Sequence, residues 1–394
     1  MMDARQRYLE YFDRLERDNE NIKAYRTIAR EEALKALEEN ESPFPVVFSD
    51  QISTRGIRTT ANSRMLENYI PPFDATLVDK VKKAGGVMLG KTMAREFGVG
   101  ETENAYGSCA AVAHGENILG FASDYDGSIH MGAREYGLFA CTPSYGSVSR
   151  YGIIPVASSM DRVAILAKRF EQIPAALDMV AGRDERDGST FSCDGDLSEL
   201  EAPDLRDVTF ALVDGLEGSE AAEDLFKKLG RPQDKLRLES LPYALPAHEI
   251  LSSGEFATNM ERYDGIGFGY RAGEYGNVEE LYKKSRTEGL GREVQAKIIF
   301  GNFCLSEGKY EAYYVQAMKA RTMVKEELEK RLETYEFLLA PADKRLAAAL
   351  YLAGLPIISM PFGKTSLLIA GSAFNDKRLL AFGGEILSRL EREI

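Results

Sequence analysis

Residues 45–52 read PVVFSDQI, residues 74–85 read DATLVDKVKKAG, and residues 86–92 read GVMLGKT. The first and third stretches are short, apolar and rich in β-branched residues, which favours buried strands. The stretch between them carries apolar residues at helical spacing among charged ones. Strand, helix and strand therefore alternate, and this alternation predicts an α/β fold around a central sheet.

The pattern continues on both sides of this strand–helix–strand unit. Residues 4–40 predict two amphipathic helices that cover the sheet, the second ending near Asn40. Residues 118–128, ILGFASDYDGS, predict another strand that leads into a helix, and the sheet pattern resumes at residues 208–215, VTFALVDG.

The last third of the chain is the most helical part. Apolar residues recur every three or four positions over residues 276–336, which predicts an inserted helical lobe. The sequence thus predicts one domain in four parts: N-terminal helices in residues 1–40, a core in 41–275, the helical lobe in 276–336, and C-terminal core strands with a helix in 337–394.

Composition narrows the class of protein. The 394 residues exceed the roughly 250 to 300 at which one hydrophobic core stops growing. With 44% hydrophobic and 28% charged residues, the chain is typical of globular proteins and not of disordered ones. A net charge of −13 repels polyphosphate, so direct binding of nucleic acid is not expected.

The four cysteines and the N-terminal segment indicate the compartment. Cys109, Cys141, Cys193 and Cys304 are widely spaced and form no CxxC pair, which favours reduced thiols and predicts neither a disulfide framework nor a structural metal. The N-terminal segment has no apolar run of the kind found in signal peptides, and no later stretch is long and apolar enough for a membrane span. We expect a soluble cytoplasmic protein without a cofactor.

Several segments together resemble a known family. The resemblance lies in residues 51–100 (QISTRGIRTTANSRMLENYIPPFDATLVDKVKKAGGVMLGKTMAREFGVG), 101–107 (ETENAYG), 136–163 (YGLFACTPSYGSVSRYGIIPVASSMDRV), 262–271 (RYDGIGFGYR), 280–291 (ELYKKSRTEGLG), 312–328 (AYYVQAMKARTMVKEEL) and 352–363 (LAGLPIISMPFG). In this order they resemble the amidase-signature family, and within it the A subunits of aspartyl/glutamyl-tRNA amidotransferases.

The resemblance implies a fold, a chemistry and partners. The implied fold is an α/β/α sandwich around a large mixed sheet, and the ancestral chemistry is the hydrolysis of glutamine to ammonia. A nucleophilic serine in a TGGSIR loop is served by a relay serine in a GGSSGGS loop and by a lysine in a VKDN strand end. The A subunits of this family work together with tRNA-binding B subunits and small C subunits.

This chain has a serine at the position of the family's nucleophile, but it has no lysine at the position of the family's base. Ser128, in ASDYDGSIH, stands at the position of the nucleophile. Ser49 stands where the family has its lysine, and Asp50 and Gln51 follow in the expected places. A serine cannot accept a proton at neutral pH without a base of its own. The resemblance therefore implies that the proton acceptor is missing.

Two further parts of the family's site differ in this chain. ENAYG runs directly into SCAAVAHG, so the relay loop and its cis peptide are missing, and Ser108 matches only the last serine of that motif. Tyr125, Asp126 and Gly127 precede Ser128 where the family has Thr-Gly-Gly. A carboxylate at position 126 would oppose a developing oxyanion.

Other residues are candidates for holding a ligand. In the family, an arginine and a tyrosine help to hold the glutamine, and Arg321 and Tyr270 match them here. Asp343 is the nearest counterpart of an acidic residue that the family places before its LAGLP-like strand. Read on its own, an arginine on an amphipathic helix is more often solvated or ion-paired.

Local chemistry offers alternatives for the remaining polar residues. Serine in a DGS turn commonly caps the following helix, so Ser128 has a structural interpretation. His130 stands in place of the family's arginine and is a candidate substitute base. Cys109 at a helix start is either a thiol of lowered pKa or, as we favour, a small buried hydrophobe. His114 and His248 have no metal-ligand spacing.

Three functional hypotheses follow. The first is a catalytically inactive amidase-like protein that serves as a binding or assembly module, with a protein partner, a second copy of itself or a small amino-acid-like ligand. The second is an enzyme with a rebuilt acyl-transfer site around Ser128 or Cys109. The third is an active glutaminase component of an amidotransferase, which the missing lysine disfavours.

Overall fold

The computed structural model describes residues 4–100, 102–192, 197, 200–218, 223, 234–363 and 365–392. Its α-helices are α1 (Ala4–Ile22), α2 (Arg30–Glu39), α3 (Thr76–Lys83), α4 (Gly107–His114), α5 (Ser128–Tyr136), α6 (Gln172–Val180), α7 (Leu241–Met260), α8 (Val278–Gly289), α9 (Arg292–Leu305), α10 (Tyr314–Thr334), α11 (Lys344–Ala353) and α12 (Asp376–Arg392). Its strands are β1 (Tyr25–Ile28), β2 (Phe44–Ser49), β3 (Gly86–Thr92), β4 (Leu119–Asp124), β5 (Phe139–Thr142), β6 (Arg162–Ala167), β7 (Phe210–Val213), β8 (Lys235–Leu236), β9 (Phe337–Pro341), β10 (Ile357–Phe362) and β11 (Thr365–Gly371).

The chain divides into two compact units, each made of three segments. The first unit contains Met1–Ser123, Arg150–Asp161 and Ser252–Ser306, and the second contains Asp124–Ser149, Arg162–Leu251 and Glu307–Ile394. The predicted division into an N-terminal, a core, a helical and a C-terminal part stays a prediction.

The first unit is built on strands in the order β1-β3-β2-β4. β2 runs parallel to both β3 and β4, with Val46 opposite Met88 on one side and Leu119 on the other. β1 runs antiparallel to β3. Every residue of β3 is buried, as expected for a strand covered on both faces.

The second unit has strands in the order β6-β5-β10-β11-β9-β7-β8. Pairing is antiparallel from β6 through β5, β10 and β11 to β9, and parallel from β9 through β7 to β8. The stacked rings of Phe337 and Phe382, with centroids 4.2 Å apart, join β9 to the amphipathic helix α12. Both units therefore combine helices with mixed sheet, and the predicted α/β class is confirmed.

The elements expected from the sequence occur where the patterns indicated. Helices α1 and α2 occupy the predicted N-terminal stretch, and β2, α3 and β3 form the predicted strand–helix–strand unit. The strand β1 was not predicted, because its four residues YRTI include two polar ones and offer too short a run for the alternation to show. None of the helices in the described part of the chain has the length and apolar character needed to cross a bilayer.

Candidate functional site

Ser128 lies at the start of helix α5, immediately after the loop that leaves β4. Gly127 precedes it with a φ of +80°, a left-handed conformation that glycine adopts without strain. A Cβ atom at residue 127 would lie 2.7 Å from the Cβ atom of Ala347. Both the positive φ angle and the lack of room for a side chain require glycine at position 127. This requirement restricts the loop before Ser128 to one conformation.

The backbone amides of this loop donate to two carboxylates. The amide of Ser128 donates to Asp126 Oδ1 at 3.0 Å, and that of Gly127 donates to Asp124 Oδ1 at 3.1 Å. The amide of Ile129 donates to Asp124 Oδ2 at 3.3 Å. These are the donors from which an oxyanion hole would be built, and each of them already has an anionic or acidic acceptor.

The carboxylate of Asp124 is buried and accepts hydrogen bonds from several groups of the loop. Its Oδ1 also accepts a long hydrogen bond from Ser128 Oγ at 3.4 Å, and its Oδ2 accepts the Tyr351 hydroxyl at 2.8 Å. Burial raises the pKa of Asp124 to about 7, and the nearby Asp126 carboxylate adds to the rise. The guanidinium of Arg162 stacks 3.8 Å from the centre of the Tyr351 ring.

His130 is fully buried, and its contacts do not suit a base for Ser128. Its Nδ1 contacts Ser359 Oγ at 3.0 Å and its Nε2 contacts Thr142 Oγ1 at 2.9 Å. Burial lowers the pKa of His130 to about 3, with a smaller contribution from Arg162. Since both ring nitrogens are engaged by hydroxyl groups of β5 and β10, the interpretation of His130 as a substitute base is not supported by its contacts.

Tyr125 begins the same loop and is held by His248. His248 Nε2 donates to the Tyr125 carbonyl oxygen at 2.9 Å, and the two rings stack with centroids 5.6 Å apart. His248 therefore has a structural role in positioning the loop. His114 likewise contacts the Ala110 carbonyl oxygen within α4.

Ser49 ends strand β2 in the first unit. It is 2% exposed, and its Oγ accepts the amide of Ser123 at 3.2 Å. Its backbone neighbour on β3 is Thr92, whose hydroxyl forms a 2.6 Å hydrogen bond with Ser108 at the start of α4. The chain thus places hydroxyl groups around the position that the resemblance assigns to a lysine. The expected proximity of Ser49 to Ser128 stays a prediction.

The segment expected to replace the relay loop is short and closely packed. Helix α4 begins at Gly107, and a Cβ atom there would lie 2.5 Å from the carbonyl oxygen of Met93. The described residues contain no cis peptide bond. Cys109, in the first turn of α4, is fully buried, which agrees with its interpretation as a small hydrophobe.

Lys91 on β3 has the environment of a functional residue and was not predicted from the sequence. It is fully buried, and its Nζ donates to the Ile52 carbonyl oxygen and to Thr54 Oγ1, the latter at 3.2 Å. Burial lowers the pKa of Lys91 to about 7, while the Asp50 carboxylate acts in the opposite direction. A single charged residue inside the apolar run GVMLGKT was the sequence signal that could have revealed it.

Asp50, the anion beside Lys91, is also fully buried. Its Oδ2 accepts from the amides of Thr60 and Asn62 at 3.0 and 3.2 Å and from the Thr60 hydroxyl. Burial raises the pKa of Asp50, and Lys91 opposes this rise. Asp50 Oδ1 and Gln51 Nε2 are buried and find no hydrogen-bond partner among the described residues.

The two residues matched to glutamine binding have other contacts here. Arg321 Nε donates to the Leu352 carbonyl oxygen at 2.9 Å in the second unit. Tyr270 lies in the first unit, where its hydroxyl donates to Glu288 Oε2 at 2.6 Å and accepts from Arg64 at 3.0 Å. A role for either residue in holding glutamine stays a prediction.

Asp343 caps a helix. Its Oδ1 accepts the amides of Arg345 and Leu346 at 2.8 and 3.3 Å, which fixes the first turn of α11. Among the described residues, no group of three or more histidine, cysteine, aspartate or glutamate side chains could hold a metal ion. Cys193 lies outside the described residues.

The comparisons with known proteins agree with the motifs. The chain matches the Amidase family over residues 8–106 and 105–351. It is 34% identical to the A subunit of the glutamyl-tRNA(Gln) amidotransferase from Carboxydothermus hydrogenoformans over 437 aligned positions, which cover 94% of the chain and 90% of that protein. The corresponding protein of Sulfolobus acidocaldarius is 36% identical over 392 positions, which cover 85% of the chain and 82% of that protein.

The fold agrees as well. The crystal structure of the A subunit of the glutamyl-tRNA(Gln) amidotransferase from Thermotoga maritima matches with a TM-score of 0.75 and 26% identity, covering 98% of the chain and 92% of that structure. This match confirms the predicted amidase-signature fold. Motifs, sequence and fold lead to the same assignment, and the chain belongs to the amidase-signature family.

Proposed function

We propose that this chain is a catalytically inactive amidase-family protein that acts as a binding or assembly module. The observation that carries the proposal is the hydrogen bond from the Ser128 amide to the Asp126 carboxylate at 3.0 Å. An oxyanion that develops beside Ser128 would have to displace the Asp126 carboxylate from the Ser128 amide, and the oxyanion and the carboxylate would repel each other. The loop is therefore a poor place to stabilise a tetrahedral intermediate.

The lack of a base supports the same proposal. Ser49 stands where the family's motif has a lysine, and its Oγ accepts the Ser123 amide. Lys91 cannot readily substitute, because its Nζ is bound to the Ile52 carbonyl oxygen and to Thr54. Losing the base of a coupled triad costs about as much activity as losing the whole triad.

Missing segments give further support. The alignment with the Carboxydothermus protein spans 437 positions, more than the 394 residues of the chain, as expected if segments of the relative have no counterpart here. The direct passage from ENAYG into α4, which begins at Gly107, leaves no room in the sequence for a relay loop.

One observation favours a second candidate function, an acyl-transfer or amidase site rebuilt around Ser128. Asp124 Oδ1 lies 3.4 Å from Ser128 Oγ, and the pKa of Asp124 is raised to about 7 by burial and by Asp126. A carboxylate of this pKa beside a serine hydroxyl has the properties of a general base. The distance is long, and Asp124 already accepts from the amides of Gly127 and Ile129, so we rank this function second.

An activity assay separates the two functions. The purified chain is expected to release no ammonia above background from glutamine, asparagine or propionamide between pH 6 and 9, and Ser128→Ala is expected to leave the readings unchanged. The measurement is coupled ammonia detection, with Ser306→Ala as a control serine from the end of α9.

The rebuilt site gives the opposite result in the same assay. Hydrolysis would rise with pH through about 7 as Asp124 loses its proton, and it would disappear in Ser128→Ala and fall strongly in Asp124→Asn. Such a pattern, absent from Ser306→Ala, would refute the inactive-module proposal.

A protein partner is the second part of the proposal. The relatives are named as A subunits of an amidotransferase, which places each of them in a multi-subunit enzyme. A net charge of −13 disfavours direct capture of RNA by this chain. We therefore expect it to bind another protein or a second copy of itself, with an interface that buries on the order of 1,600 Å².

Affinity purification at native expression, followed by mass spectrometry and light scattering, tests the partner. We expect a stoichiometric complex that survives 0.5 M salt, because an interface of this size does not depend on surface charges alone. Elution as a monomer with no enriched protein would count against an assembly role, and enrichment of RNA that disappears at high salt would indicate nucleic-acid binding instead.

A further inference from the structure

The first unit contains a cavity of about 740 Å³ that the Ser128 loop does not line. Its volume falls within the roughly 300 to 1,000 Å³ typical of small-molecule sites. Residues 64–69, 152–155, 262–263 and 267–270 form its wall, together with Ser53 and Phe73. The chemistry of these walls decides which class of molecule would bind.

The wall is held in place by close backbone packing. The Tyr270 amide donates to the Met65 carbonyl oxygen at 2.8 Å, which ties two of the wall segments together. Gly269 has a φ of +84°, and a Cβ atom there would lie 2.5 Å from Met65 Sδ. The cavity is thus a formed feature of the first unit.

Two guanidinium groups line the cavity. Arg64 donates to the Tyr270 hydroxyl at 3.0 Å and to the Glu288 carbonyl oxygen at 3.4 Å. Arg262 donates to the carbonyl and side-chain oxygens of Asn259 at 3.0 and 3.2 Å. Within the described part of the chain, neither arginine forms an ion pair with a carboxylate. Both keep their positive charge and have N–H groups left over for an anion.

The remaining wall is largely apolar, and five of its described residues are aromatic. The aromatic residues that line the cavity are Tyr69, Phe73, Tyr263, Phe268 and Tyr270. Phe268 is 65% exposed although it is large and apolar, which is the behaviour expected of a side chain that a ligand covers. Flat aromatic walls favour stacking with a planar ring.

We propose that this cavity binds a small aromatic carboxylate, with the carboxylate held by Arg64 and Arg262 and the ring against the aromatic wall. Arginine suits a carboxylate because its planar fork can donate two parallel hydrogen bonds. Glu67 is the carboxylate among the described lining residues, and Glu288 accepts from the Tyr270 hydroxyl, so the two arginines supply the cationic donors of the cavity on a chain of net charge −13. The inference concerns ligand binding and holds whether or not Ser128 is active.

Calorimetry on the full chain with 3-phenylpropanoate and its uncharged analogue 3-phenylpropanamide tests the proposal. The acid is expected to bind at least about tenfold more tightly than the amide, because charge-assisted hydrogen bonds are each worth more than tenfold in affinity. Arg64→Gln and Arg262→Gln are each expected to weaken binding of the acid by about tenfold or more.

A filling variant and a control complete the design. Gly267 lines the cavity, and a Cβ atom there meets nothing within 4 Å, so Gly267→Trp should fill the space and abolish binding without disturbing the fold. Arg271→Gln changes a neighbouring arginine that bonds to Tyr275, outside the described lining, and is expected to bind as the unaltered chain does. Circular dichroism confirms that each variant is folded.

Three results would overturn the proposal. They are equal affinity for the acid and the amide, unchanged affinity in both arginine variants, and unchanged affinity in a folded Gly267→Trp. Absence of any heat of binding with the acid would overturn it as well. The hydrolysis assay is separate, so failure here leaves the proposed inactivity of Ser128 untouched.

Discussion

Lys91→Ala is expected to lower the free energy of unfolding by about 3 to 5 kcal/mol at pH 6, where the pKa of about 7 leaves the lysine charged. Lys91 and Asp50 are both fully buried, and the charge of each acts on the other. Removing the cation leaves the Asp50 carboxylate without its compensating charge in a low-dielectric interior. It also leaves the Ile52 carbonyl oxygen without its Nζ donor. Urea denaturation followed by circular dichroism measures the change.

A matched control and a double variant test the cause. Lys83 forms an exposed ion pair with Asp79 in α3, so Lys83→Ala should cost less than about 1 kcal/mol. Combining Lys91→Met with Asp50→Asn should recover a large part of the loss, because no charge then remains uncompensated. If Lys91→Ala proved no more damaging than Lys83→Ala, the buried pair would not be a source of stability.

The stability of the chain is expected to fall by roughly 2 to 4 kcal/mol between pH 4 and pH 7 because of Asp124, whose pKa is raised to about 7. An unfolded aspartate has a pKa near 4. As the pH rises from 4 to 7, Asp124 therefore loses its proton in the unfolded chain but keeps it in the folded chain, and this difference lowers the free energy of unfolding. The stabilisation is fully present below about pH 4 and is lost as the pH approaches 7.

Asp124→Asn isolates this effect. Burial also raises the pKa of Asp161 to about 6, so the difference between the unaltered chain and the variant has to be compared at each pH. We expect that difference to change steadily between pH 4 and 7 and to be level above about pH 8. A difference that is independent of pH would mean that Asp124 is ionised throughout, with Tyr351 and the loop amides outweighing burial.

The fold could be predicted largely from local patterns. A few neighbouring residues are enough to predict β2 and β3 from their apolar runs and α3 from its helical spacing. The same holds for the helices α8 to α10. Strand β1 escaped because it has four residues and gains its stability from pairing with β3, a partner about sixty positions away. Pairing of this kind leaves no periodic signal in the sequence.

The candidate site was predictable only in part for the same reason. The Ser128 loop and the opposing Asp126 lie within three residues of one another, and the structure shows the carboxylate bound to the Ser128 amide. By contrast, His130 meets Ser359 and Asp124 meets Tyr351 across more than 200 positions of sequence. The sequence offered His130 as a candidate base only by its position beside Ser128, and the structure shows that both of its ring nitrogens contact hydroxyl groups.

The hydrogen bonds from Ser359 through His130, Thr142 and Tyr351 to Asp124 also limit how this sequence can evolve. Removing the hydroxyl of Ser359 or Thr142 leaves a ring nitrogen of the buried His130 without its partner, which costs about 1 to 3 kcal/mol. One such loss consumes a large part of the margin by which a domain stays folded. We therefore expect a sequence that freed His130 to act as a base to change Ser359 and Thr142 as well.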